Sequence, residues 1–405
     1  MELRTDVLII GGGLVGGSMA CALAHHGVPC IVVDRDEQTA LVEEGYDGRC
    51  SAVALACQKV LDTIGVWRHM ADDVGTIEQI RVADGDSLLF LHYHYQLLEE
   101  GQPLGFMAEN RVMRRAIFRR LEELPAATWL APHSVETLDR GPDGVTAELE
   151  DGRIIRAKLV IAADGRRSPT REAAGIPIHG WDYHQNGIVF TVWHERHHQN
   201  IAHEHFLPAG PFAILPLKDG HHSSLVWTER RALVDELMAL DDATFQAELM
   251  KRFGDFLGEV KVVSRKFSYP LTLQFARRYT DRRLALIGDA AHGMHPVAGQ
   301  GMNFGLRDVA VLAEKIVEAH RLGLDVGTTT VLDDYQRLRR FDNLLMLGLT
   351  DAIVRLFSND IAPLRLARDI GMAVVNKIDP AKKFFMRHAM GQVGILPKLM
   401  KGEAL

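Results

Sequence analysis

The chain has 405 residues, with 46 Lys and Arg against 53 Asp and Glu and a formal net charge of −7, which excludes nucleic-acid binding driven by overall charge. With 47% hydrophobic and 24% charged residues it has the make-up of a soluble globular protein large enough for more than one domain. Cys21, Cys30, Cys50 and Cys57 form no C-x-x-C pair and read as small core residues, no run reaches 18 apolar residues, and no basic leader precedes the first apolar run, so the expected compartment is the reducing cytoplasm.

Val7 to Ile10 is an apolar run of strand type. Glycines follow, then Leu14 to His25 at helical spacing, then Gly27 as a stop, then a second strand from Cys30 to Val33. The glycines Gly11, Gly13 and Gly16 fall in the pattern G-x-G-x-x-G inside this β-α-β unit. The first allows a tight turn, the second lets a pyrophosphate approach the main chain, and the third lets helix and strand pack closely. The pyrophosphate then sits on free N–H groups at the helix start, beside Leu14 and Val15. Asp34, followed by Arg35, lies where a carboxylate can accept hydrogen bonds from an adenosine ribose. A dinucleotide site follows from strand, turn, helix, strand and acid together.

The middle of the chain leaves the βαβ rhythm. Thr76 to His94 reads as two strands around Asp84-Gly85-Asp86, and Glu109 to Leu124 as an amphipathic helix with a basic outer face. A hairpin through Asp151-Gly152 precedes a buried strand at Leu159 to Ala162. From Gly175 to Tyr279 short alternating runs predict a separate strand-rich sheet. A strand from Leu284 returns to the first fold and enters "LIGDAAHGMHPVAGQGMNFGLRDVAVLAE", where Val309, Leu312, Ala313, Ile316 and Val317 recur at helical spacing. After Leu345 the chain is expected to be helical, broken at Pro363, Pro380 and Pro397. An inserted domain implies a cleft between domains, a usual place for a substrate; Phe206, Phe212, Ile214, Leu225 and Trp227 of the inserted sheet suit an apolar cleft there, or the core of the sheet.

Three stretches in this order, G-x-G-x-x-G with Asp34, "AADGRRSPTR" (Ala162 to Arg171) and "IGDAAHGMHPVAGQGMNFGLRD", resemble the single-component flavin aromatic hydroxylases of the para-hydroxybenzoate hydroxylase type, over nearly the whole chain. "YDGRCSAVAL", "GPFAILPL", "SSLVWT" and the tail "GMAVVNKIDPAKKFFMRHAMG" resemble the ubiquinone-biosynthesis branch. The resemblance implies an α/β fold: a Rossmann-like FAD-binding domain (1–75, 96–174 and 278–344), an inserted strand-rich substrate domain (76–95 and 175–277) and a C-terminal helical segment (345–405). It implies tight, non-covalent FAD, with NADH or NADPH and O2 as co-substrates and a polyprenyl phenol as substrate, hydroxylated on its ring through a C4a-hydroperoxyflavin.

The resemblance also distributes roles. Asp289 is implied to bond a ribityl hydroxyl, and Gly299 and Gly301 to bring main chain against the flavin ring. Met302 and Asn303 open a helix whose N–H groups face the edge that becomes negative on reduction. Arg49, at the start of a run that reads as helix-like, is implied to bridge FAD phosphate and the mobile flavin region, the alternative being a surface Arg. Asn110 is implied to be a polar FAD contact or a plain N-cap. Asp164 is implied to touch a nucleotide indirectly or only to form a turn. Pro296 and His295 are the candidate catalytic residues at the flavin face. The five histidines between His194 and His205 lack metal-ligand spacing, so no metal is expected. A related hydroxylase of a small soluble phenol, a flavin-bearing structural subunit and a flavin dehydrogenase remain the competing functions; a halogenase is disfavoured because no W-x-W-x-I stretch occurs.

From Ile361 to Leu405, eight Lys or Arg stand against three acids, a local balance of +5 interleaved with apolar residues. Such a segment suits an anionic membrane at the inner face, other ubiquinone-biosynthesis proteins, or its own core. A homodimer stays open.

Overall fold

Val7–Ile10 is apolar on both faces and pairs in parallel with Cys30–Val33 on one side and Leu159–Ala162 on the other. Burial on both faces is why these strands read as continuous apolar runs rather than alternating ones. The computed structural model describes residues 1–43, 47–85, 90–98, 101–295, 299, 301–357, 368, 371, 375–394 and 396–405. The six-stranded sheet runs Thr280–Asp281, Leu284–Leu286, Leu159–Ala162, Val7–Ile10, Cys30–Val33, Ala127–Leu130. The helices Leu14–His25, Asn110–Glu122 and Gly301–Arg321 pack around it and share one core with it.

A nine-stranded sheet stands beside this core, built mainly from Ile178–His194, Ile201–Leu207, Gly210–Pro216, His222–Arg230 and Phe267–Ala276. Gln79–Asp84 and Phe90–His94 join its far edge, the former parallel to Ile201–Leu207. Three elements differ from expectation. Ile178–His194 is one 17-residue strand with an irregularity between Asp182 and Gln185, rather than several short runs. The helices Arg231–Met238 and Asp242–Phe253 cover one face of the sheet, where only strands are expected. Their apolar positions Val234, Phe245, Leu249 and Phe253 recur at helical spacing within a region otherwise dominated by alternation.

Two smaller corrections concern the flavin side. The run after Arg49 is a strand, Cys50–Ala54, before it becomes the helix Leu55–Thr63. The basic helix Asn110–Glu122 does not turn all its arginines outward: Arg114 and Arg120 are buried, bonded to Asp47 and to the Ile64 carbonyl. One uninterrupted helix, Thr329–Phe357, runs through the position where the C-terminal segment is expected to begin. Pro380 sits in the first turn of Asp379–Ala389 and Pro397 precedes Lys398–Lys401, both compatible with a ring that lacks an N–H. Pro363 lies outside the described residues.

Candidate active site

The glycine turn has the shape its spacing predicts. Gly11 has φ +98°, and a Cβ there would lie 2.5 Å from the Ala163 carbonyl oxygen. A Cβ at Gly16 would lie 1.9 Å from the Gly11 oxygen, so helix Leu14–His25 can approach its strand only without a side chain. Gly13 is different: nothing lies within 4 Å of its Cβ position, leaving main chain open at the helix start. Leu14 and Val15 begin that helix, and Val15 lies against Gly288 and Gly305. Asp34 accepts from the Gly12 and Asp36 N–H groups at the end of its strand, while Arg35 points to solvent beside Asp36.

The other predicted residues fall around the same opening. Asp164 accepts from the Thr170 N–H at 3.1 Å with one oxygen, and its other oxygen is buried without a partner among the described residues. Asp289 is 51% exposed inside the otherwise buried turn Gly288–Ala290, with Arg166 at 3.8 Å. Gly299 has φ +62° and would press a Cβ to 2.8 Å from Ala52, while Gly301 faces open space. An orphaned carboxylate oxygen, an outward aspartate in a buried turn and glycines open to the cleft fit the phosphates, sugar and ring of FAD. Met302 is buried in the core. The Asn303 amide is bonded to Ala54 N–H and Ala52 O, both at 2.9 Å, and so ties helix to strand with its side chain.

Arg49 and Asn110 meet through a residue to which the sequence reading gives no role. Asp47 is buried and accepts from Arg49 at 2.9 Å, Arg114 at 2.7 Å and Asn110 at 3.2 Å. Burial alone would raise its pKa, but Arg49 and Arg114 outweigh it and hold the carboxyl well below the usual range. Asn110 also accepts from Ser51, so it is a cross-link and not the N-cap, which is Glu109. Arg49 lies over the Tyr269 ring at 4.9 Å, reaching from the flavin side to the sheet.

The family profile described as an FAD binding domain matches residues 4–341. The ubiquinone hydroxylase UbiL of Rhodospirillum rubrum is 60% identical over 99% of this chain and 93% of its own length. The chain is a member of the ubiquinone-biosynthesis FAD hydroxylase family. The 3-demethoxyubiquinol 3-hydroxylase of Escherichia coli is 36% identical over 96% of this chain and 98% of its own. Among solved structures, p-nitrophenol 4-monooxygenase PnpA from Pseudomonas putida has the same fold, with TM-score 0.81 at 21% identity over 98% of this chain and 100% of that one.

In this hydroxylase His295 is fully buried and both ring nitrogens lack hydrogen-bond partners among the described residues. Burial pushes its pKa down to about 4, so the ring is neutral at physiological pH. Its edge meets the Tyr183 ring at 5.1 Å. Pro296 lies outside the described residues. His292 is bonded to Asp308 at 2.6 Å. Asp308, in the quoted "GLRD" but given no role there, is fully buried and also accepts from the Gly288 N–H at 2.9 Å and Arg339 at 2.8 Å. It therefore fixes the turn that carries Asp289. The available signal is a charge at a buried position of an apolar helix, where a partner is obligatory.

The apolar cleft expected through Phe206, Phe212, Ile214, Leu225 and Trp227 needs correction. Partners across a sheet point to the same side. Phe212, Ile214, Leu225 and Trp227 point to the helices Arg231–Met238 and Asp242–Phe253 and are core. The alternate residues Glu204, Ala213 and Val226 point the other way, toward the flavin side with Phe206. Beside Tyr183 a groove of about 660 Å³ opens between Gln185, Pro208 and Arg230. In the histidine-rich hairpins, His194 uses both ring nitrogens on Arg196 O and Ser223, and His198 bonds Leu217 O and Asn200 N–H.

Proposed function

We propose that this FAD-dependent hydroxylase oxygenates the aromatic ring of a polyprenylated phenol on the route to ubiquinone, with NADH or NADPH and O2 as co-substrates. The supporting observation is the side of the nine-stranded sheet opposite the helices Arg231–Met238 and Asp242–Phe253: there Tyr183 clusters with Phe206 and meets buried His295, whose ring nitrogens lack hydrogen-bond partners among the described residues. When bound, FAD takes hydride from the pyridine nucleotide and activates O2. Gly11, Gly13, Gly16, Asp34, Arg35, Leu14 and Val15 would hold its adenosine and pyrophosphate. Asp164, Asp289, Arg49, Asn110, Met302 and the Gly299, Gly301 and Asn303 main chain would hold its sugar and ring. A neutral His295 would orient the substrate by hydrogen bonding rather than by charge, with Pro296 as a further candidate at the flavin face.

The domain division given above is part of this reading: the inserted sheet closes the site and the groove beside Tyr183 admits the tail. Loading purified enzyme with FAD and a prenylated phenol should couple NAD(P)H consumption to ring oxygenation. Product from a short soluble phenol with equal efficiency would favour the small-phenol alternative. Flavin without turnover would favour the structural subunit.

Access to a bilayer substrate is the second part of the reading. Among the described residues no helix is long and apolar enough to cross a membrane. Much of the expected C-terminal surface is interior: Met386, Leu399 and Met400 are buried, and Arg368 is buried against Asp84 at 2.7 Å. Met372, Val374, Arg365 and Ile395 lie outside the described residues. Exposed instead are Phe384 and Phe385, and, upstream, Phe341, Leu345, Leu349, Ile353 and Leu356 along one face of Thr329–Phe357. A contiguous apolar stripe of this kind suits peripheral membrane contact or a partner protein of the same pathway.

A further inference from the structure

We propose that Glu204 accepts the proton of the substrate's ring hydroxyl. The inference deepens the phenol-hydroxylase reading and rests on it. Glu204 lies in the middle of Ile201–Leu207, in register with Ala213 on one neighbouring strand and Val82 on the other. Its side chain therefore shares the face of Ala202 and Phe206, away from the helices that cover Phe212. The residues flanking it on that face reach the flavin side in two directions. Ala202 clusters with Leu215, Cys50 and Ala52, and Ala52 lies against Gly299. Phe206 clusters with Val82 and Tyr183, and Tyr183 meets His295. Glu204 thus lies between a cluster that reaches Gly299 and one that reaches His295.

Among the described residues the carboxylate has no hydrogen-bond or ionic partner, and burial pushes its pKa up to about 7. A carboxylate without a cation beside it costs stability and persists where a ligand uses it. Other titratable groups turned to this side are already engaged or are poor bases. Asp84 is paired with Arg368, and Asp47 with Arg49 and Arg114. Tyr93 and Tyr183 are raised above the ordinary phenol range by burial, Tyr269 sits beside Arg49, and His295 is held neutral. The same face carries two further buried polar atoms without partners among the described residues, Gln185 Oε1 and Thr228 Oγ1, as expected of a wall built to meet a ligand. In the step, the substrate O–H bond breaks, its electron pair stays on the phenol oxygen, and the proton bonds to a Glu204 carboxylate oxygen. The ring gains electron density for oxygen transfer.

The test uses FAD-loaded full-length enzyme, wild type and Glu204→Gln, with a prenylated phenol and its ring-fluorinated, more acidic analogue. Wild-type kcat for hydroxylated product should rise with pH through a near-neutral apparent pKa. Glu204→Gln should lose that limb and about 10²- to 10⁴-fold in kcat. Flavin content should be unchanged, and the fluorinated substrate should recover at least part of the lost rate in the variant alone. If Glu204→Gln loses FAD, Glu204→Asp is judged by the same profile. A variant with the wild-type rate and the same acid limb, or one that the fluorinated substrate does not help, overturns the role of Glu204. Wild-type enzyme that oxygenates no phenol overturns the underlying reading instead.

Discussion

Asp308 is the side chain on which the cofactor turn depends most, and its removal gives a worked prediction. Asp308→Ala strands three donors: the Gly288 N–H, His292 and the Arg339 guanidinium. Removing one partner of a buried ion pair costs about 3–5 kcal/mol. Arg339 keeps Asp342 at 2.6 Å and Asn343, so the lower end of that range applies to it. The lost acceptor for Gly288 adds about 1–3 kcal/mol. The expected destabilisation is therefore about 4–6 kcal/mol for Asp308→Ala. Asp308→Asn retains size and one acceptor oxygen and should lose about 2–3 kcal/mol. Urea unfolding of the FAD-free proteins, followed by circular dichroism at constant m, measures both. Coupling between Asp308→Asn and Arg339→Met should exceed about 1 kcal/mol in a double-mutant cycle. Burial raises the Asp308 pKa while His292 and Arg339 lower it, with a net depression. The folded value lies below the unfolded one, so the contribution is complete above about pH 4 and fades only as pH falls through the folded value. A loss under 1 kcal/mol for Asp308→Ala, or additive cycles, would refute the argument that this carboxylate anchors the turn.

Asp289→Ala should weaken FAD by roughly 10- to 150-fold, from a charge-assisted hydrogen bond of about 1.5–3 kcal/mol; a wild-type flavin titration would remove Asp289 from the site. Gly13→Ala and Gly16→Ala should part company. The first has room in the protein and should lose FAD affinity while the apoprotein melts normally; the second collides with Gly11 and should fail to fold or melt far lower. The two variants behaving alike would contradict the geometry. His295 has a folded pKa near 4, below its unfolded value near 6.5, so the unfolded chain takes the proton first. Wild-type stability should fall by up to about 3 kcal/mol between pH 6.5 and 4 relative to His295→Asn, read as the difference in urea midpoints, and parallel curves would count against burial of a neutral ring. Leu345→Asp with Leu349→Asp should abolish sedimentation with anionic vesicles while leaving FAD bound; unchanged sedimentation would sink the membrane reading.

The nucleotide cradle was legible in the sequence because each of its glycines answers a local demand of turn, phosphate or helix contact. Arg49 and Asn110 stand out in the sequence as candidates, but not the means that joins them. Asp47 lies beside Tyr46, in a stretch whose pairing with Arg114 spans 67 positions, and no local pattern announces such a contact. The inner sheet failed for a different reason. Alternation marks two faces of a strand without saying which meets helices and which meets the cofactor, and the larger residues suit a cleft as well as a core. They are the core because two helices within the inserted region needed an apolar floor. The C-terminal charges are ambiguous likewise: Arg368 is interior, and the exposed apolar stripe lies upstream in a helix whose inner positions read as ordinary amphipathy.

The alternation also has a consequence for how such enzymes diverge. Along Ile201–Leu207, Gly210–Pro216 and His222–Arg230, odd and even positions serve separate masters. Phe212, Ile214, Leu225 and Trp227 hold the sheet to its helices, while Ala213 and Val226 lie on the opposite face. Substitution at the second set leaves the first untouched, so ring and side-chain preference can drift without passing through an unstable ancestor. An insertion of one residue in any of these strands would exchange the two sets at once. Length in these three strands is therefore the trait that descent must keep, and composition at positions such as Ala213 and Val226 is the trait it can spend.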